Sequence, residues 1–388
     1  QTHVRPEGLA AFTELLPSIA GATGGALTDG NAVTVLQDEA FFDALLADVA
    51  RARRSVHFET YVWWHGEICR RLAEALAERA RAGVEVRVLV DAVGGSDMDE
   101  ELRRLLDDAG ARLVFYHPFD LAHLGDVNNR DHRKLAILDG RVGYTFGHGV
   151  AEEWTAAGKG WRDTAVRVEG PLVASLQSVF VENWMEETGE VPAGEAVFPE
   201  LGPAGEVRGH VAASSPHGRV STVELLHKLA IASAREEILI QNPYFLPDED
   251  LQVLLEDAAR RGVSVSVMIP GREGSDSAVV FHASHTHYDR ILAAGVRIYE
   301  YRPTLLHQKV LVVDGLWSHV GSTNFDSRSF EINDEVSVGL IDREVAARLT
   351  EAFERDRRDC REVTPEGWER SAGHRLLDRV AHLAHEQL

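Results

Sequence analysis

One order of segments occurs twice in this chain, and that repeat restricts it to a pair of like α/β units. Ser55-Val56-His57-Phe58-Glu59 is matched by Glu237-Ile238-Leu239-Ile240-Gln241, and Ala82-Gly83-Val84-Glu85-Val86-Arg87-Val88 by Arg261-Gly262-Val263-Ser264-Val265-Ser266-Val267. Ala109-Gly110-Ala111-Arg112-Leu113 is matched in turn by Ala294-Gly295-Val296-Arg297-Ile298. Each series ends in the spacing H-x-K-x-x-x-x-D: His132, Lys134 and Asp139, then His307, Lys309 and Asp314. The order strand, helix, strand, helix, strand, motif strand holds in both. A repeat of this length means two copies of one α/β unit rather than a solenoid of short repeats.

The pattern predicts helices over 7–20, 41–53, 67–81 and 99–108, and strands over 32–36, 56–63, 84–90 and 112–115. Residues 21–30 read as a glycine-rich loop, and Gly83 stops the helix before it. The run 84–90 is almost wholly apolar, as expected of a strand covered by helices on both faces. The stretch 190–206, rich in Pro and Gly, reads as a linker. It divides a first half (1–195) from a second (196–388). Residues 118–130 have no equally long counterpart and are expected to wall a cleft beside the first motif. At the other end, 375–388 places Leu376, Leu377, Val380, Leu383 and Ala384 on one helical face. That helix is read as packed on the core, with a membrane-surface helix as the alternative.

In an extended chain, side chains alternate, so the His and Lys of each motif share a face and the residue between them points away. Each copy runs into an apolar strand, Leu135-Ala136-Ile137-Leu138 or Val310-Leu311-Val312-Val313. Two copies can therefore set two imidazoles and two ammonium groups around one anion, and a phosphodiester fits that charge.

These residues resemble the phospholipase D superfamily over nearly the whole chain. Gly321-Ser322-Thr323-Asn324-Phe325-Asp326-Ser327-Arg328-Ser329-Phe330, followed by Asn333-Asp334-Glu335-Val336, is similar to the segment typical of bacterial cardiolipin synthases. Trp161-Arg162-Asp163-Thr164 and Val166-Arg167-Val168-Glu169-Gly170-Pro171 are similar to that subfamily in the first half. One position departs: where the family has Gly-Gly-x-Asn, this chain has Gly147-His148-Gly149-Val150, with Gly149 in place of the amide. The resemblance implies an α/β fold of two pseudo-symmetric halves, each a mixed, mostly parallel sheet flanked by helices, with the active site at their interface. It also implies that Asp163 serves His132 and that Glu335 serves His307, each carboxylate within its own half. Asn324 and Ser322 would face phosphate oxygens, with Gly147, Gly149 and a substitute donor in His148. Separately, Tyr61, Trp63 and Trp64, at the end of a predicted strand, read either as core or as the lining of an acyl-chain entrance. Asp139 and Asp314 are expected to fix loops rather than to touch substrate.

With 388 residues, of which 44% are hydrophobic, a large core is available. The net charge of −22 argues against a nucleic-acid substrate and against broad adsorption to an anionic membrane. Arg51, Arg53 and Arg54 read as a solvated helix end. The two cysteines, Cys69 and Cys360, carry no metal-ligand spacing. No run of about 18 apolar residues is present. A cytoplasmic protein, or one peripheral on the inner face of the membrane, is expected; a chain that starts at Gln1 leaves room for a lost leader or anchor.

The chemistry follows from the motif. One imidazole attacks phosphorus to give a phospho-histidine, and the other protonates the leaving oxygen and then deprotonates the acceptor. Lys134 and Lys309 stabilise the non-bridging oxygens, and no metal or other cofactor is called for. By family precedent His132 is the nucleophile. The expected partners are a phospholipid and an alcohol or water acceptor. Phosphatidylglycerol transfer to cardiolipin leads, ahead of hydrolysis to phosphatidic acid and of a metal-independent nuclease. Two intact motifs speak against a non-catalytic scaffold.

Overall fold

The computed structural model describes residue 4 and residues 12–23, 25–118, 129–215, 221–275 and 278–365. The insertion at 119–128 and the C-terminal segment 375–388 lie outside the described residues. In the first half, α1 (Phe12–Thr23), β1 (Thr28–Gln37) and α2 (Ala40–Arg51) precede β2 (Ser55–Thr60), α3 (Glu67–Arg81), β3 (Glu85–Asp91), α4 (Glu100–Ala109) and β4 (Arg112–Tyr116). The motif strand β5 (Leu135–Leu138) then leads to β6 (Val142–Phe146), β7 (Thr164–Glu169) and α5 (Leu172–Thr188).

The second half repeats this plan. It begins with β8 (Val207–Ser214), α6 (Thr222–Ser233), β9 (Glu237–Gln241), α7 (Glu249–Arg260) and β10 (Ser264–Pro270). Then come α8 (Ala278–Ser284), α9 (Tyr288–Ala293), β11 (Arg297–Tyr301), the motif strand β12 (Val310–Val313) and β13 (Trp317–Gly321). It closes with α10 (Ser327–Glu331), β14 (Glu335–Ile341), α11 (Arg343–Arg357) and β15 (Cys360–Val363). Residues 190–206 carry no helix or strand.

All described strands join one sheet whose centre is the β1–β8 pair. Outward from the centre the order is β1-β7-β6-β5-β2-β3-β4 on one side and β8-β14-β13-β12-β9-β10-β11 on the other, with β15 added at the edge. The pseudo-symmetry is thus written in the strand order itself. β2, β3 and β4 pair in parallel, whereas β5, β6 and β7 pair antiparallel, so the sheet is mixed. Parallel neighbours need crossover helices, here α3 and α4, and α3 buries Ile68, Leu72 and Leu76 along one face.

Each half has an outer core, and a third core is common to both. Leu135, Ile137, Val166 and Val168 of the first half meet Val310, Val312, Val336 and Val338 of the second beneath α5 and α11. The N-terminal helix departs from the simple division at the linker. Phe12, Leu16 and Ile19 of α1 pack into the outer core of the second half, with Phe12 against Trp317 at 4.7 Å between ring centres. The glycine-rich loop is also shorter than expected, because α1 runs to Thr23 and β1 starts at Thr28.

Candidate active site

β5 and β6, like β12 and β13, are joined by Asp-Gly turns. Asp139 and Gly140 have φ of 54° and 62°, and Asp314 and Gly315 have 53° and 55°. Positive φ at both central residues suits the right-handed twist of a hairpin, and Asp-Gly tolerates it. The Asp139 carboxylate accepts the backbone N–H groups of Arg53, Arg54 and Ser55 at 2.7–3.0 Å. Asp314 does the same for Arg235, Glu236 and Glu237. The aspartates of the motif therefore lock the start of β2 or β9 to the far end of the motif strand. At about 3.3 Å per residue they lie some 20 Å from the histidines and have no place in the chemistry.

At the other end of these strands, the two halves are stitched together. Asp131 forms a parallel bridge with Asp334, and Arg162 forms one with Leu306. The N–H of His132 donates to the Asp334 carbonyl at 3.0 Å, and that of His307 to the Arg162 carbonyl at 2.8 Å. Each histidine is thereby set beside a carboxylate at the start of a strand of the other half, Glu335 opening β14 and Asp163 just before β7. His132 Nδ1 donates to Glu335 at 2.9 Å, and His307 Nδ1 donates to Asp163 at 2.7 Å. The expected assignment, Asp163 to His132 and Glu335 to His307, is corrected: the pairs are crossed. The resemblance implied partners within a half, but the parallel bridges between halves choose the opposite ones.

Both carboxylates are fully buried and held by further donors. Glu335 accepts the hydroxyls of Ser322 and Ser329, the latter at 2.6 Å. Ser322 Oγ also accepts the Val336 N–H, so it braces Glu335 instead of facing phosphate, contrary to expectation. Asp163 accepts the Trp154 indole N–H and the Thr164 backbone N–H, each at 2.8 Å. Gly147 is glycine for the same carboxylate: a Cβ there would sit 2.1 Å from Asp163 Oδ1. Its role is to admit Asp163, not substrate.

The two histidines and Lys134 open into a cavity of about 440 Å³, and Lys309 Nζ lies against His307, 2.9 Å from its Nε2. The cavity lining includes the aromatic Tyr61, Trp64, Trp154 and Trp161 with Val62, and the polar Arg130, Asn324, Asp326, Arg328 and Asn333. Tyr61 lines the cavity, edge-on to His132 at 5.3 Å and beneath Lys134 Nζ at 5.7 Å. Trp63 does not. β2 ends at Thr60, strand alternation lapses, and Trp63 turns into the core against Phe58 while Trp64 faces the cleft. His148 is also structural. It is fully buried on Phe41, and its Nε2 donates to the Asp38 carbonyl at 2.9 Å. Asn324 lines the cavity, and its buried Oδ1 has no hydrogen-bond partner. Trp154, Ser329 and Arg130 are not singled out by the sequence, whereas Trp64, read there with Tyr61 and Trp63, lines the cavity. Ser329 lay within the motif segment, but only contact reveals which carboxylate a hydroxyl serves.

Beneath the site the halves differ. Arg133, between His132 and Lys134, points away from the cleft as alternation requires and is fully buried. It donates to Asn183 Oδ1 at 2.8 Å and Glu182 at 3.0 Å, with Asp334 3.7 Å away. Burial raises the carboxyls of Glu59 and Asp131, and Arg133 counters this in both. In the second half, Gln308 and Gln241 occupy the equivalent places and donate to Asp356, which pairs with Arg162 at 3.0 Å.

Burial also shapes the site's protonation. Burial holds both imidazoles well below the usual histidine range, and Lys134 and Lys309 reinforce this. It pushes the Glu335 carboxyl up to about 8 and Lys134 down to about 8. The free site therefore presents unprotonated Nε2 atoms, and an entering phosphodiester anion favours the imidazolium form that an acid catalyst needs. Because the lowered Lys134 is charged only below its own value, kcat/KM should fall as pH rises through about 8. A profile that stays flat well above that value would contradict a role for charged Lys134. Among the described residues, no group of three or more His, Cys, Asp or Glu is placed to hold a metal ion.

Comparison with known proteins points the same way. Residues 228–357 match the family model described as "Cardiolipin synthase, PLD-like domain". The chain is 33% identical over 350 residues to cardiolipin synthase 2 of Bacillus anthracis, covering 89% of this chain and 68% of that one. It is 35% identical over 361 residues to cardiolipin synthase A of Pseudomonas putida (strain W619), covering 91% and 74%. In fold it is similar to phosphatidylserine synthase of Haemophilus influenzae Rd KW20, with a TM-score of 0.69 at 11% identity, covering 96% of this chain and 98% of that one.

Proposed function

This chain belongs to the phospholipase D-like cardiolipin synthase family, and we propose that the cleft is its phosphatidyltransferase active site. The observation that carries the reading is the crossed pair of His–carboxylate contacts, with both histidines and Lys134 lining one cavity and Lys309 Nζ 2.9 Å from His307 Nε2. His132 Nε2 attacks phosphorus as the bond to the leaving alcohol breaks, and His307 Nε2–H delivers the proton that alcohol needs. In the second half-reaction, His307 takes the proton of the incoming alcohol, whose oxygen attacks phosphorus and releases His132. Glu335 and Asp163 keep each Nδ1 protonated, so that each Nε2 stays directed at substrate. Lys134, Lys309 and Asn324 stabilise the non-bridging oxygens.

Phosphatidylglycerol is the proposed donor and acceptor, and water in the acceptor's place would give phosphatidic acid. The aromatic lining of the cleft suits the glycerol backbone and the first acyl carbons, which implies peripheral contact with a bilayer. Among the described residues, no helix is long and apolar enough to cross a membrane.

Incubating the protein with phosphatidylglycerol vesicles in excess EDTA, with products read by mass spectrometry, tests this directly. Cardiolipin and glycerol are expected, and activity should survive chelation. Activity lost in EDTA and restored by one divalent ion would sink the metal-free mechanism. Nicked DNA with lipids untouched would favour a nuclease instead.

A further inference from the structure

The asymmetry between the halves is sharpest at Gly149. Val150 bridges Trp63 as Phe325 bridges Phe245, which makes Gly149 the counterpart of Asn324 and Trp154 the counterpart of Ser329. Ser329 donates to Glu335, and Trp154 donates to Asp163. Both supply the carboxylate that holds a histidine, but one does so with a hydroxyl and the other with an indole. The indole is 2% exposed and stands edge-on to His307 at 5.2 Å. Its N–H reaches Asp163 Oδ2, the same oxygen that accepts His307 Nδ1–H at 2.7 Å.

Such a ring needs room. A Cβ at position 149 would lie 2.8 Å from Trp154 Cη2 and Cζ3 and 2.8 Å from Val62 Cβ. Gly149 does not have the left-handed φ that would itself demand glycine, so the neighbours alone exclude a side chain. Glycine therefore opens no space for substrate here; the indole fills it.

We propose that Trp154 is a positioning residue for His307, acting through Asp163, and that position 149 is glycine because the indole occupies the volume an amide there would need. On the phosphatidyltransferase reading, from which this follows, the first half exchanges a phosphate-side amide for a more firmly held acid/base histidine. Asn324 then remains as the amide donor to phosphate.

Two measurements decide the matter. In protein carrying ¹⁵N-tryptophan, the Trp154 indole N–H resonance is identified by its loss in Trp154→Phe. Gly149→Ala, which adds one carbon, should move it toward the position of solvent-exposed indoles, and Gly149→Asn should do so more strongly. On phosphatidylglycerol vesicles, Trp154→Phe should lower kcat by about tenfold, the worth of one hydrogen bond to a charged group. The His307 limb of its pH profile should move upward, because the Asp163 carboxylate no longer shares its charge with the indole N–H and so favours the imidazolium form, while the ring loses a contact that fixes its position. Gly149→Asn should lower turnover, and adding Trp154→Phe to it should recover part of the loss.

An unmoved indole resonance in both Gly149 variants would overturn the proposal. So would a Trp154→Phe enzyme with lower kcat but an unaltered pH profile, since a merely structural ring would act that way. If Trp154→Phe does not fold, Trp154→Leu, which also lacks a donor, serves for the assignment and the profile. Should the native protein leave phosphatidylglycerol untouched, the functional reading fails, while the resonance still decides how Trp154 is placed.

Discussion

Glu335→Gln should lower turnover by on the order of 10²–10⁴-fold, and should do so by disabling a histidine in the other half of the chain. The glutamine amide cannot balance the charge that forms on His132 as it attacks phosphorus and leaves again. Asp163→Asn should be comparably damaging through His307. The two losses differ in kind, and a substrate with a good leaving group separates them. An activated phosphodiester such as a p-nitrophenyl ester departs without a proton, so Asp163→Asn and His307→Ala should still give a burst of nitrophenol and trapped phospho-enzyme. Glu335→Gln and His132→Ala should give neither. Variants would then sort by contact across the interface, Glu335 with His132 and Asp163 with His307. Sorting by half, with Asp163 following His132, would refute the crossed arrangement.

Arg133→Gln should cost about 3–5 kcal/mol of stability, read by urea unfolding, because it breaks a buried charge network on one side only. The guanidinium is fully buried among Asn183, Glu182, the carbonyls of Val179 and Ser214, and Asp334. Its loss leaves Asp334 and the Glu59–Asp131 pair without their nearest cation. The second half indicates what a neutral residue needs in that place. There Gln308 is accompanied by Gln241, and Asp356 has Arg162 as partner. Adding Glu59→Gln to Arg133→Gln should therefore recover part of the loss. A double variant as unstable as the sum of the two single changes would count against this account.

The sequence by itself determined the repeat and its chemistry. The segments around Val56, Val86 and Leu113 became β2, β3 and β4, and their counterparts became β9, β10 and β11, because apolar runs punctuated by glycine leave few other choices. Spacing of two placed His132 with Lys134, and His307 with Lys309, on one side of an extended chain; that rule is local and needs no partner. The Asp-Gly turns were equally legible, although the carboxylates proved to anchor backbone about 20 Å from the histidines.

Which carboxylate meets which histidine was not legible, since it is settled by bridges between Asp131 and Asp334 and between Arg162 and Leu306, residues far apart in the chain. The same holds for Trp63, which left the cleft when β2 stopped at Thr60, and for Ser322 and His148, whose partners lie on other strands. Gly149 is the clearest case. In the sequence it is a missing amide; in the fold its space belongs to Trp154, five residues on, because two groups cannot fill one volume and only packing decides which does.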